Sequence, residues 1–204
     1  MRSAELTTLL IFCTAMSFSP GPNTTLATAL AANQGMKSAL RFCFAVPTGW
    51  TLMMLGCGLG LGALVLGIPV LRWGVKLVGV TYMVWLAWKL ANAGTMGQLD
   101  KSRLNVSFGT GVGLQFLNIK AWMLALTLTA GWVVNAAGQP STNPIERLGI
   151  IILVMAAFAF CSCFTYALVG SLLRDVLSRG NRLLWFNRAI ALVLLATALW
   201  MVQV

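Results

Sequence analysis

The amino-acid sequence predicts an all-α integral membrane protein of six transmembrane helices. Three observations predict it: too few charges to cover a water-facing surface, six apolar runs of spanning length, and an uneven spread of lysine and arginine among the connections. Of 204 residues, 59% are hydrophobic and 9% charged, where a soluble domain carries roughly 25% charged residues. The length suits a single domain, 1–204, and no polar segment is long enough to form a second.

The apolar runs lie at 6–32, 40–66, 70–91, 106–134, 148–173 and 183–202. A hydrocarbon core roughly 30 Å thick needs about 20 residues of helix. The runs are long and continuously apolar, which favours helices over the short alternating strands of a barrel. Arg2 followed by 6–18 mimics a signal peptide, but apolar sequence resumes after Asn23 and no secreted domain follows. The run therefore reads as a first membrane helix. The connections at 33–39, 67–69, 92–105, 136–147 and 174–182 are short and polar, and the longest divides the chain into halves 1–92 and 105–204.

Orientation follows from the basic residues, which are retained on the cytoplasmic side. Lys37, Arg41, Lys89, Lys101, Arg103, Arg174, Arg179, Arg182 and Arg188 flank the first, third and fifth connections. Only Arg2, Arg72, Lys76 and Arg147 fall on the opposite side. Those three connections are expected inside and both termini outside. Three helices per half is odd, so the halves run in opposite senses, a 3+3 inverted-repeat plan. They share almost no residue identities, so the repeat is architectural.

The net charge of +10 does not point to nucleic acid, because no basic groove interleaved with aromatics accompanies it. Cys13, Cys43, Cys57, Cys161 and Cys163 all sit in apolar runs at spacings that match no zinc or redox motif, and read as small packing residues. Histidine is absent, which removes the commonest general base and metal ligand. No metal or other cofactor is called for. Gly56, Gly58, Gly60 and Gly62, and Gly109 with Gly113, form GxxxG patterns suited to close helix packing.

Two places carry chemistry. Ser19-Pro20-Gly21-Pro22-Asn23 sits in the middle of the first run. Each proline removes a backbone donor and clashes with a preceding carbonyl, so the helix should break there. Backbone groups freed in hydrocarbon must find protein, water or ligand, and the following half-helix presents amides that attract carboxylates. The matching place in the second half contains Gln115, Asn118 and Lys120. Lys120 lies 13 residues after Ser107, about 20 Å into the bilayer at 1.5 Å per residue. A central charge there costs roughly 2.5–3.5 kcal/mol on insertion scales. The four acids, Glu5, Asp100, Glu146 and Asp175, are all at run ends or in loops. A carboxylate ligand, water or backbone carbonyls are left to balance the lysine.

With these residues in view, the chain resembles the LysE/RhtB family of bacterial amino-acid exporters. The resemblance rests on Ser19-Pro20-Gly21-Pro22-Asn23, Gly49, Gly79-Val80-Thr81-Tyr82 leading into Val84-Trp85-Leu86-Ala87-Trp88-Lys89, and Phe108-Gly109 leading into Leu117-Asn118-Ile119-Lys120-Ala121. The last two runs agree in length and hydrophobicity alone. The Gln115–Lys120 and Val84–Lys89 stretches are similar to the cysteine and O-acetylserine exporter branch. The resemblance implies proton-driven efflux of a small amino acid by alternating access across the bacterial cytoplasmic membrane. It assigns Ser19 to Asn23, Gln115, Asn118 and Lys120 to substrate binding or gating. The expected partners are the substrate and the lipid bilayer, with self-association left open. The family has Asn-Pro-Lys where this chain has Asn118-Ile119-Lys120. An unbroken helix through Ile119 would set Asn118 and Lys120 about 200° apart, and whether the helix breaks there is open.

Other classes fit less well. An intramembrane enzyme would need general acid–base or nucleophilic groups, and histidine and paired intramembrane acids are missing. A structural or receptor subunit would account for glycine faces but not for Pro-Gly-Pro in mid-membrane.

Overall fold

The structure, a computed structural model, describes residues 1–60, 68–93, 106–134 and 140–203. Gly62, Lys101 and Arg103, and all or part of the connections at 67–69, 92–105 and 136–147, lie outside the described residues. Every named element is helical: α1 Ser3–Phe18, α2 Pro22–Gln34, α3 Met36–Gly58, α4 Pro69–Ala91, α5 Phe108–Phe116, α6 Ile119–Leu128 continuing into a π-helical turn Thr129–Val133, α7 Pro144–Leu177 and α8 Arg182–Gln203. Pro22, Pro69 and Pro144 each open a helix, at the position where a missing N–H costs nothing.

Four helices, α3, α4, α7 and α8, are long and apolar enough to cross a membrane, and α5 with α6 makes a fifth if the bent pair is one span. The first expected run is two helices, of 16 and 13 residues. The expected connection 33–39 shrinks to Gly35, whose φ of 86° is left-handed backbone that favours glycine. The fifth run extends to Pro144–Leu177. The fourth run does break without a proline: Asn118 is extended at φ −93°, ψ 100°, and the helices on either side meet at 65°.

The principal pairings are α2 on α7, α4 on α8, α3 on α7 and α3 on α5. One apolar cluster joins α2, α3, α4, α7 and α8 around Leu30, Phe42, Leu86 and Leu194. A second joins α1, α3, α6 and α7 around Leu9, Met53, Leu128 and Met155. Large apolar side chains such as Leu77, Leu153, Leu172 and Leu199 stand outside both clusters, as lipid-facing positions do when the solvent is hydrocarbon. Of the GxxxG glycines, Gly58 packs on Leu148, while a Cβ on Gly60, Gly109 or Gly113 would meet nothing within 4 Å. Gly111, between the last two, makes the close approach to Ala45 and Phe42 on α3. At the end of α2, Asn33 and Asn187 exchange reciprocal amide hydrogen bonds of 2.8 and 2.9 Å, both side chains buried.

Candidate functional site

The first break is a problem of orphaned carbonyls. In an α-helix the carbonyl of residue i accepts from the amide of i+4, so Pro20 and Pro22 leave Met16 and Phe18 without donors. Extended backbone at Ser19 and Gly21 turns the chain away from Ser17 and Ser19 as well. Each of these four carbonyls accepts a side-chain hydrogen bond instead. Ser19 Oγ donates to Met16 O at 2.8 Å. From α7, Ser162 Oγ donates to Ser17 O at 2.6 Å and Tyr166 OH to Phe18 O at 3.0 Å. From α6, Lys120 Nζ donates to Ser19 O at 3.3 Å and to Ser19 Oγ at 2.6 Å. An unmet buried carbonyl costs about 1–3 kcal/mol, so these side chains are what allows α1 to end in apolar surroundings.

The second break is closed more locally. Trp122 Nε1 donates to Phe116 O at 2.8 Å. The Leu117 carbonyl lies directly against Gly79 of α4, leaving no room for a Cβ there. Gly49 plays the same part for α5, because a Cβ would stand 2.6 Å from both Gln115 Cγ and the Val112 carbonyl. The two breaks are then joined through side chains. Asn23 Nδ2 donates to Gln115 Oε1 at 2.8 Å, and Gln115 Nε2 returns the bond to Asn23 Oδ1 at 3.1 Å. Gln115 is fully buried.

A cavity of about 50 Å³ lies at the seam between the two apolar clusters, with room for about three or four waters. Ser19, Gly21, Pro22, Asn23, Asn118 and Lys120 all line it. Gln115 stands one hydrogen bond behind, through Asn23. Pro20 is exposed and does not line it; it acts by removing a donor. The N-termini of α2 and α6 both open onto this space. Lys120 is the single Lys, Arg, Asp or Glu among the lining residues, and hydroxyl and carbonyl oxygens balance its charge. Among the described residues the only ion pair, Arg147 to Glu5 at 3.2 Å, sits at the opposite end of α1. There Arg147 also donates to Trp132 O, and Trp132 Nε1 to Glu5 O.

Sequence reasoning missed Ser162, Tyr166 and Trp122. Ser162 and Tyr166 are four residues apart in an apolar run, hence on one helix face, and that spacing is the signal that could have found them. Nothing local marks Trp122.

The family described as LysE type translocator matches residues 14–203. The chain belongs to that family. The match covers the last two helices, where motif resemblance had stopped. The cysteine/O-acetylserine efflux protein of Salmonella typhimurium (strain LT2) is 27% identical over 188 residues, covering 90% of this chain and 91% of the relative. The protein of the same description in Escherichia coli (strain K12) is 27% identical over 186 residues, covering 89% of each. No solved structure matches. This LysE family member is a multi-pass membrane transporter and not an enzyme.

Proposed function

We propose that this chain exports a small amino acid or derivative, cysteine- or O-acetylserine-like or another neutral one, across the bacterial cytoplasmic membrane. One observation carries the reading. Two half-helix N-termini and the Lys120 ammonium converge on one cavity whose lining includes no carboxylate. Helix N-termini and a desolvated cation together favour an anion, and a substrate carboxylate is the anion every amino acid offers. The relatives' descriptions supply the substrate class.

Export across the membrane by alternating access would open this cavity to each side in turn. The pairing of helices supports the inverted repeat. Exchanging first with fourth, second with fifth and third with sixth spans turns the contact of the first span with the fifth into that of the fourth with the second and leaves α4–α8 unchanged. The half-helix that carries most of the contact differs, α2 in the first span and α5 in the fourth. Six spans with both termini outside complete the arrangement. Reporter fusions at Gly180 should read cytoplasm and fusions at the C-terminus should read outside. A cytoplasmic C-terminus would overturn that topology. Coupling to the proton gradient follows the family resemblance, with Lys120 the single Lys, Arg, Asp or Glu lining the site.

Counterflow of labelled neutral amino acids in proteoliposomes tests the function. Lys120→Met should remove a charge-assisted contact worth about 1.5–3 kcal/mol, weakening binding by about one to two orders of magnitude. Lys120→Arg, with its charge in a different shape, should recover part of it. Wild-type flux in Lys120→Met would remove the lysine from the site.

A further inference from the structure

Two buried side-chain atoms among the described residues have no hydrogen-bond partner, Ser17 Oγ and Asn118 Oδ1, and both residues line the cavity beside Lys120. Each has a local default that it does not use. Asn118 is the N-cap of α6, the position where an asparagine oxygen ordinarily accepts an amide of the first turn, yet its side chain makes no cap bond. It is 3% exposed. Ser17 is helical, and hydroxyls at such positions commonly donate back to the carbonyl four residues earlier. Thr14, Thr28, Thr165 and Thr197 all do so here, whereas Ser17 does not. Its own carbonyl is occupied by Ser162.

The unmet groups differ in kind from those already assigned. Lys120 and the two helix N-termini donate or carry positive charge, whereas an amide oxygen only accepts and a hydroxyl oxygen can. A bare carboxylate would satisfy the first set and leave Asn118 Oδ1 unmet. We propose that Asn118 Oδ1 and Ser17 Oγ receive the α-ammonium group of the substrate, making the cavity a site for zwitterions and not for carboxylates in general. This rests on the reading of Lys120 as the carboxylate partner. The neutrality of both acceptors is part of the assignment. A buried Asp at either place would pair with Lys120 and close the site to the ligand.

The test measures binding to purified, lipid-reconstituted protein of three probes: O-acetyl-L-serine, its desamino analogue 3-acetoxypropionate, and its carboxamide. Wild type should prefer the amino acid to the desamino analogue by about tenfold or more, the range of a hydrogen bond to a charged group. Asn118→Leu, close in shape, should weaken amino-acid binding by about ten- to a hundredfold and lower the ratio between the amino acid and the desamino analogue accordingly. Ser17→Ala, which keeps the helix, should shift the same ratio in the same direction by less. Retention of wild-type discrimination in both variants would overturn the ammonium site, as would wild-type protein that binds the desamino analogue as tightly as the amino acid. Equal binding of amino acid and carboxamide, with the desamino analogue rejected, would instead remove Lys120 from its role and leave the ammonium end standing. Failure of wild type to bind any of the three would overturn both.

Discussion

The break after α1 is written with two prolines and a glycine, whereas the break between α5 and α6 contains neither residue type. Their repair differs in the same way. Three of the four carbonyls freed at the first are met by Ser162, Tyr166 and Lys120, between 101 and 148 residues away. The carbonyl of Phe116 at the second is met by Trp122, six residues away. The Phe116 bond therefore stays within the bent pair, while the first break keeps its bonds only as long as α1 stays against α6 and α7. Burial follows the same division. Of α1 only Leu9 and Cys13 are buried, whereas nearly all of α2 is. Of the two halves of the first span, α1 is thus the less enclosed and α2 the more enclosed.

The largest effect should come from erasing the first break. Pro20→Ala with Pro22→Ala returns donors to Met16 and Phe18 and should extend helical hydrogen bonding through 19–23. Hydrogen exchange should show new protection there and flux should be lost while insertion is normal. Unimpaired flux would reduce the motif to a packing kink.

Next in size is Gly79→Ala, which places a Cβ against the Leu117 backbone carbonyl, an overpacking of roughly 1–3 kcal/mol. Thermal unfolding in detergent should register it, because backbone on both sides leaves nothing flexible to yield.

These two cases mark what could be read in the sequence. Pro20 and Pro22 act on their own backbone, so the first break was legible, along with the half-helix that follows. Ile119 hid the second, because that break is made by a carbonyl seated on Gly79 in another helix and no local residue enforces it. The charge of Lys120 was legible as needing a partner, and carbonyls were among the partners foreseen. Its position opposite Ser19 was not, since it depends on the 65° bend. With the helix broken, the 200° separation of Asn118 and Lys120 does not apply, and both reach one cavity.

The comparison sharpens with a matched pair of smaller changes. Tyr166→Phe leaves the Phe18 carbonyl unmet and Trp122→Phe leaves that of Phe116, each at about 1–3 kcal/mol. Tyr166→Phe should raise exchange along α1 and alter flux, and Trp122→Phe should act at the junction of α5 and α6. Equal effects on α1 would erase the distinction between the two breaks. The smallest effect is expected from Glu5→Gln, because an exposed ion pair contributes little and is screened by salt. It should loosen only the N-terminal end of α1, seen as a salt-dependent gain in labelling of that end.

The Asn33–Asn187 pair has a consequence for biosynthesis. The two residues are 154 positions apart, so the first leaves the ribosome long before its mate exists. Until α8 has been inserted, Asn33 can donate to the Ala29 carbonyl, while its own oxygen faces lipid or a neighbouring helix without the amide that finally fills it. A nascent chain truncated ahead of residue 187 would carry that polar mark permanently, in the helix most enclosed in the finished protein.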